Sequence, residues 1–172
     1  FCTGPGVFYA DKVIVQSEAM RQVYIKALIS ETGEESRSVW EEKILGLGSP
    51  KMDKVADTRK ENVQVPEEWL KIIEKPDGSW KKIIFYNNSV TALLQHEDKM
   101  LEKMKYVFRT FKENQEEVAL LWRPHPLIRA TIESMRPELW EKYQKLVEQY
   151  RAEGWGIYDD TPDMDRAVAI SD

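Results

Sequence analysis

An arginine and a histidine, each followed by proline, end an apolar run of strand length. The run covers residues 118–122, and the turn after it is Arg123-Pro124-His125-Pro126. Proline lacks a backbone N–H and fixes φ, so the strand has to end here and both side chains lie on a stiff, extended turn. Arginine suits bidentate phosphate binding, and histidine binds an anion or moves a proton near neutral pH. The turn therefore indicates a phosphate-type ligand site. The alternative is an ordinary turn whose polar side chains face solvent.

Short apolar runs alternate with helical patterns and predict the elements that position this turn. Strands are expected at 13–15, 83–86, 118–122, 155–158 and 168–170. Helices are expected at 17–30, 39–45, 66–73, 97–114, 127–135, 137–151 and 164–167. This alternation predicts an α/β fold, a Rossmann-like parallel sheet flanked by helices, although no strand is followed by a GxGxxG fingerprint. We expect one domain over residues 1–172, excised from a longer chain and truncated at both ends.

Polar side chains follow the predicted strands, and ligands of open α/β sheets bind at the carboxyl edge. The candidate ligand-binding residues at this edge are Arg123, His125, Asn88, Ser89, Asp160, Ser171 and Asp172. Such a set suits a nucleotide, with Arg123 and His125 on the phosphates and the other groups on base and ribose. The alternative for the acidic residues is that they are polar simply because strands end in solvated turns.

Composition excludes several classes of protein. The chain has 172 residues, of which 42% are hydrophobic and 32% charged, and its net charge of −5 lacks the basic footprint of a nucleic-acid-binding protein. No apolar stretch approaches the roughly 20 residues that span a bilayer. Two histidines and one cysteine give no zinc-ligand spacing. We therefore expect no metal, no cofactor and no nucleic-acid partner, and the lone Cys2 fits a reducing compartment.

Four segments together resemble a known enzyme family. They are Val-Ile-Val-Gln-Ser-Glu at 13–18, Lys-Ile-Ile-Phe-Tyr at 82–86, Arg-Pro-His-Pro at 123–126 and Ala-Ile-Ser-Asp at 169–172. In this order and at these separations they resemble the C-terminal half of the CDP-glycerol glycerophosphotransferases, the teichoic-acid polymerases and their relatives. The resemblance covers nearly the whole chain, and the Arg-Pro-His-Pro turn is its most specific element.

The resemblance implies one half of a two-domain GT-B-type transferase. Such an enzyme moves glycerol phosphate from CDP-glycerol to a cell-wall or surface polymer and releases CMP. By this resemblance Arg123 and His125 hold the donor diphosphate, and His125 stabilises the leaving group. The implied partners are the nucleotide-activated donor, the polymer acceptor and an N-terminal domain of the same polypeptide that supplies the general base. The implied place is the cytoplasm at the inner face of the cell membrane, with peripheral membrane contact through other regions. The chain alone is expected to be inactive.

Two other functions remain open from the sequence. Asn87-Asn88-Ser89 departs from the Pro-Thr sequence usual after that strand in the family, and the family's amino-terminal histidine motif has no match. A GT-B glycosyltransferase that uses a UDP- or GDP-sugar would need the same diphosphate contacts, and only selectivity between cytidine and uridine nucleotides separates the two donors. A non-catalytic interaction domain on the same fold would bind no nucleotide.

Overall fold

The computed structural model describes residues 1–172, and the chain divides into two compact units, Phe1–Asp57 and Thr58–Asp172. The sequence predicts one domain over the same residues. The predicted α/β class is confirmed, since helices alternate with parallel strands in an arrangement compatible with a Rossmann-like fold. The strands form two small sheets, however, rather than the one sheet that the alternation predicts.

The first unit, Phe1–Asp57, contains a two-stranded parallel sheet. Its elements are α1 (Pro5–Tyr9), β1 (Val13–Ile14), α2 (Glu18–Thr32), a 3₁₀ turn (Glu34–Ser36), α3 (Arg37–Lys43), β2 (Ile44–Leu45) and α4 (Pro50–Asp57). Ser17 caps α2 as predicted, because its Oγ accepts a hydrogen bond from the Met20 N–H at 3.2 Å. The helix predicted over 39–45 ends at Lys43 instead, since Ile44 is buried and pairs with Val13.

The second unit, Thr58–Asp172, contains a three-stranded parallel sheet in the order β3-β4-β5. Its elements are a 3₁₀ turn (Lys60–Asn62), α5 (Glu67–Ile73), β3 (Lys82–Asn88), α6 (Val90–Glu113), β4 (Val118–Pro124), α7 (Ile128–Met135), α8 (Pro137–Glu153), β5 (Ile157–Tyr158) and α9 (Met164–Ile170). The three strands predicted at 83–86, 118–122 and 155–158 are therefore confirmed in direction, but their bounds differ. Strand β4 continues through Arg123 and Pro124, which the sequence places on a turn, because both residues pair in register with the end of β3. Strand β5 covers only Ile157–Tyr158.

Helices cover both faces of this sheet. Leu120 and Trp122 of β4 pack with α6, α7 and α8, whereas Ala119 and Leu121 pack with α5 and α9. Side chains of a strand alternate between faces, so a parallel strand with helices on both sides is apolar at every position. This explains why the run before Arg123 is continuous rather than alternating.

Residues 168–170, predicted as a strand, are helical and belong to α9. The Asp163 side chain caps this helix by accepting a hydrogen bond from the Arg166 N–H at 3.2 Å. Ala167 and Ile170, three residues apart, both face the core. A short apolar run does not distinguish a strand from a buried helix, and here the helical spacing decides.

Helix α6 is interrupted at Glu97, where the sequence predicts the start of a helix; the structure begins the helix seven residues earlier, at Val90. Glu97 has φ 41° and ψ −120°, a conformation that favours glycine over any side chain. The Glu97 carboxylate pairs with Arg136 at 3.1 Å, but both side chains are more than half exposed. Such a pair contributes about 0–1 kcal/mol, so it does not by itself explain the conformation.

We expect Glu97→Gly to be more stable than Glu97→Ala by about 1 kcal/mol, because only glycine relieves the positive φ while both variants lose the Arg136 pair. This reverses the usual order within a helix, where alanine is favoured over glycine by about 1 kcal/mol. Urea unfolding of the two variants measures the difference. An alanine variant more stable than the glycine variant would show that Glu97 is ordinary helix.

Candidate functional site

A cavity of about 1070 Å³ lies at the carboxyl ends of β4 and β5, bounded by α7 and α8. Its wall includes His125, Trp140, Tyr143, Arg151, Tyr158 and Asp160. Aromatic rings and a few polar groups in a concave site at the carboxyl edge of parallel strands are typical of a binding site for a small organic ligand. The sequence predicts a site at this edge, and the cavity lies there.

His125 is an exposed side chain on the wall of this cavity, directly after β4. Its Nδ1 accepts a hydrogen bond from the Leu127 N–H at 3.2 Å, and its carbonyl accepts one from Ile128 at 2.9 Å. A neutral imidazole with Nδ1 as acceptor carries its proton on Nε2. The turn therefore fixes both the ring and its tautomer, and Nε2–H is the group that can donate to a ligand.

Arg123 is buried and has internal partners. The residue is only 6% exposed. Its Nη1 donates to the Asp159 carboxylate, and its Nη2 donates to the Thr161 carbonyl at 2.6 Å. Asp159 is fully buried, and its second oxygen accepts from the Thr161 N–H at 3.0 Å and Thr161 Oγ1 at 2.7 Å. The guanidinium thus holds the loop after β5. The phosphate contact predicted for Arg123 would require Asp159 to release it.

Asn88 is the last residue of β3, and Ser89 directly precedes the first residue of α6. Asn88 is only 3% exposed, and its Oδ1 accepts from Trp122 Nε1 at 2.9 Å. Ser89 caps α6, since its Oγ accepts from the Ala92 N–H at 3.1 Å. Asn88 is paired in register with Pro124, so it lies at the predicted carboxyl edge beside the turn. The Ser89 hydroxyl, in contrast, is already used in capping.

Asp160 is the candidate carboxylate that remains accessible. It lies on the cavity wall, and its nearest cation is Arg151, whose Nη1 is 3.8 Å from Asp160 Oδ2. Both side chains are more than half exposed, so solvent screens the pair and neither group is held tightly. Asp160 is therefore free to meet a ligand hydroxyl, as the sequence predicts.

Ser171 and Asp172 lie at the opposite edge of the sheet, so their predicted place in the site is wrong. The Asp172 N–H donates to the Ile83 carbonyl at 2.9 Å, and Asp172 Oδ2 accepts from the Ile83 N–H at 2.8 Å. Ile83 is near the amino end of β3, five residues from Asn88, or roughly 17 Å along a strand. Ser171 donates to the Ala167 carbonyl at 2.7 Å. Because 164–170 is a helix, it returns the chain to the amino edge.

The aromatic wall of the cavity was missed by the sequence reasoning, which assigned these rings to the core. Trp140 and Tyr143 of α8 stack with ring centroids 5.9 Å apart, and both line the cavity with Tyr158 of β5. Burial raises the pKa of Tyr143, so its hydroxyl stays protonated. The available signal is that polar-tipped aromatic residues recur on the inward stripe of α8, the second helix after the turn.

No group of three or more His, Cys, Asp or Glu residues is placed to hold one metal ion. None of the helices combines the length and the apolar character needed to cross a bilayer.

Comparison with known proteins found no match to any protein-family model, to any curated protein or to any solved structure. The family resemblance of the four segments therefore remains a prediction, and the cavity geometry has to support a function without it.

Proposed function

We propose that the Thr58–Asp172 unit binds the nucleotide of an activated donor in this cavity. The donor proposed is CDP-glycerol, and the unit would serve as the donor-binding half of a GT-B-type glycerophosphotransferase. The observation that carries the proposal is the position of His125. This side chain lies on the wall of a cavity of about 1070 Å³ at the carboxyl edge of a parallel sheet. The Leu127 N–H donates to its Nδ1, which leaves the ring proton on Nε2.

The lining of the cavity suits the two ends of a nucleotide. A histidine donor at the end of β4 supports a phosphate contact, and Arg129 of α7 lies on the same wall. The rings of Trp140 and Tyr158 offer faces on which a base can stack. Asp160 offers an acceptor for a ribose hydroxyl. The arrangement therefore has one group for each part of a nucleoside diphosphate.

In the proposed reaction His125 acts on the leaving group. The acceptor hydroxyl forms a new bond to the phosphorus of the glycerol phosphate and gives its proton to a base in another part of the enzyme. The bond from this phosphorus to the bridging oxygen breaks, and CMP leaves with the electron pair. Donation from His125 Nε2–H is stronger to this developing charge than to the ground state, which lowers the barrier. The polymer acceptor and a contact with the cytoplasmic membrane face belong to the same proposal.

The hydrogen bonds of Arg123 to other residues of the protein support a second candidate function. Its guanidinium is closed off by Asp159 and Thr161. The cations Arg129 and Arg151 lie beside Glu133 and Asp160 at 3.4 and 3.8 Å. With Glu148, the cavity wall carries four carboxylates and three guanidinium groups. A wall without excess positive charge favours a non-catalytic binding domain that has kept the fold. This alternative predicts no nucleotide binding.

Calorimetric titration with CMP, UMP and UDP-glucose tests the proposal, with the two histidines as a matched pair. We expect His125→Ala to weaken CMP binding by roughly ten- to a hundredfold, the contribution of a hydrogen bond to a charged group. His96→Ala, which removes an exposed histidine outside the cavity wall, is expected to leave binding unchanged.

Each other outcome of this titration identifies a different function. Uridine ligands that bind as well as CMP would favour a sugar transferase. No binding by the folded protein would contradict both enzyme functions and favour the interaction domain. Equal binding by the two histidine variants would contradict the role of His125.

A further inference from the structure

Three arginines line the cavity, and they differ in how far other residues already use their hydrogen-bond donors. Arg123 is buried and donates to Asp159 and to a loop carbonyl. Arg129 donates from its Nε to Glu133 of the same helix at 3.4 Å. The carboxylate oxygen nearest to Arg151 is 3.8 Å away, which is beyond hydrogen-bond distance. Arg151 is therefore the arginine of this wall whose donors are open to a ligand.

The Tyr158 ring positions the Arg151 guanidinium. Arg151 belongs to the last turn of α8, and its Cζ lies 5.3 Å from the centroid of the Tyr158 ring, as in the contact of a cation with an aromatic face. Burial raises the pKa of Tyr158, the Asp160 carboxylate raises it further, and Arg151 lowers it. A cation from the end of a helix and a carboxylate from the loop after β5 therefore lie beside one neutral ring.

Arg151 and Asp160, which we call the Arg151–Asp160 pair, are both accessible from the cavity. Each side chain is more than half exposed, and both residues line the wall. Solvent screens their attraction across 3.8 Å, so a ligand separates the two groups at little cost. A guanidinium offers a planar set of N–H donors that matches a phosphate, and a carboxylate accepts from a hydroxyl. The pair thus offers neighbouring sites for an anion and for a hydroxyl.

We propose that the Arg151–Asp160 pair opens to bind two groups of one nucleotide, with Arg151 on the 5′-phosphate and Asp160 on a hydroxyl of the adjacent ribose. This inference rests on the proposed function, and it gives Arg151 the phosphate contact that the sequence assigns to Arg123. The phosphate and the hydroxyls of a ribose 5′-phosphate are only a few bonds apart, which suits two neighbouring side chains.

The charge of the wall makes this pair selective. Carboxylates outnumber guanidinium groups on the wall, so its overall charge does not attract anions. A phosphate without a hydroxyl would take Arg151 and leave the Asp160 carboxylate unpaired beside a second negative charge. A nucleoside without a phosphate would leave Arg151 against Asp160. Only a ligand that carries both groups satisfies both side chains.

Arg151→Gln and Arg109→Gln form a matched pair for the test. Each removes an exposed guanidinium that lies over a tyrosine ring, since Arg109 Cζ is 5.5 Å from the centroid of Tyr106. Arg109 lies in the groove between α6 and α8, outside the cavity wall. The probes are CMP, its 2′,3′-dideoxy analogue and cytidine, each titrated by calorimetry into the 172-residue protein. Thermal unfolding of every variant checks that it folds.

We expect Arg151→Gln to weaken CMP binding by roughly ten- to a hundredfold and to leave the weaker binding of cytidine unchanged. Arg151→Lys should recover only part of this loss, because an ammonium group lacks the planar fork. Arg109→Gln should bind CMP as the wild type does. The wild type should prefer CMP over the dideoxy analogue about tenfold, and Asp160→Ala should abolish this preference. All these variants should melt close to the wild type, because the replaced side chains are exposed.

The outcomes separate this inference from the proposed function. Unchanged CMP binding by Arg151→Gln, beside a loss with His125→Ala, would overturn the inference and leave the proposed function standing. An equal loss of CMP and cytidine binding would show that Arg151 supports the nucleoside rather than the phosphate, and an equal loss with Arg109→Gln would show unspecific attraction; either would overturn the inference. A preference for CMP that survives Asp160→Ala would overturn the hydroxyl contact. No binding of any probe by the folded wild type would overturn both the inference and the proposed function.

Discussion

Replacement of Asp159 by alanine is expected to destabilise the Thr58–Asp172 unit by about 3–5 kcal/mol. The carboxylate is fully buried and is the charged partner of Arg123, which is itself 6% exposed. Without it a guanidinium stays buried with only the Thr161 carbonyl as acceptor. The variant also leaves the Thr161 N–H and hydroxyl without their acceptor, so the loop after β5 loses its anchor. Urea unfolding followed by far-UV circular dichroism measures the loss.

Two further variants control this experiment. Asp160→Ala removes an exposed carboxylate one residue away and is expected to change stability by less than about 0.5 kcal/mol. The double variant Arg123→Met with Asp159→Leu is expected to recover most of the loss, because replacing both partners leaves no unpaired charge. An Asp159→Ala variant as stable as Asp160→Ala would contradict the internal ion pair. Arg123 would then be available to bind a phosphate, as the sequence predicts.

Replacement of Trp122 by alanine is expected to cost about 3–5 kcal/mol, the usual range for a buried aromatic residue. Trp122 is fully buried, and its ring meets four aromatic neighbours with centroids 4.7–6.0 Å away: Phe108, Tyr143, Tyr150 and Tyr158. These rings join β4 to α6, α8 and β5. The truncation therefore loosens the packing beneath the cavity as well as the sheet. Unfolding by urea measures the effect.

Trp122→Phe separates packing from hydrogen bonding. Phenylalanine keeps much of the ring contact but loses the indole N–H that donates to Asn88. We expect a smaller loss of stability, about 1–3 kcal/mol, because Asn88 Oδ1 is then buried without its donor. A loss below about 1 kcal/mol for Trp122→Ala would show that this aromatic group is not the centre of the core.

Local patterns in the sequence predicted most of the elements around the site. The continuous apolar run before Arg123 has the length of a strand buried on both faces, and β4 ends two residues beyond this run, at Pro124. The stripe of Leu139, Tyr143, Leu146 and Tyr150 has helical spacing, and these residues are buried in α8. Both predictions depend on residues close together in the chain, and both are confirmed.

Features that depend on distant residues could not be predicted in this way. Arg123 and Asp159 are 36 residues apart, and nothing in either segment shows that the guanidinium has an internal partner. The same holds for the buried hydroxyls of Tyr86 and Tyr143, which come from β3 and α8. Ser171 and Asp172 were misplaced because the apolar run before them fits a strand as well as a helix. Local sequence therefore predicts the edge where the site lies but not which polar groups remain available there.

Chemical-shift mapping with CMP tests the central claim most directly, that the cavity after β4 binds a nucleotide. In ¹H–¹⁵N spectra of the 172-residue protein we predict saturable shifts at His125, Ile128, Tyr143, Tyr158 and Asp160, which surround the cavity. Residues of the groove between α6 and α8, such as Lys105 and Arg109, should not shift. Saturable shifts confined to that groove, or no shifts at millimolar CMP, would contradict the claim.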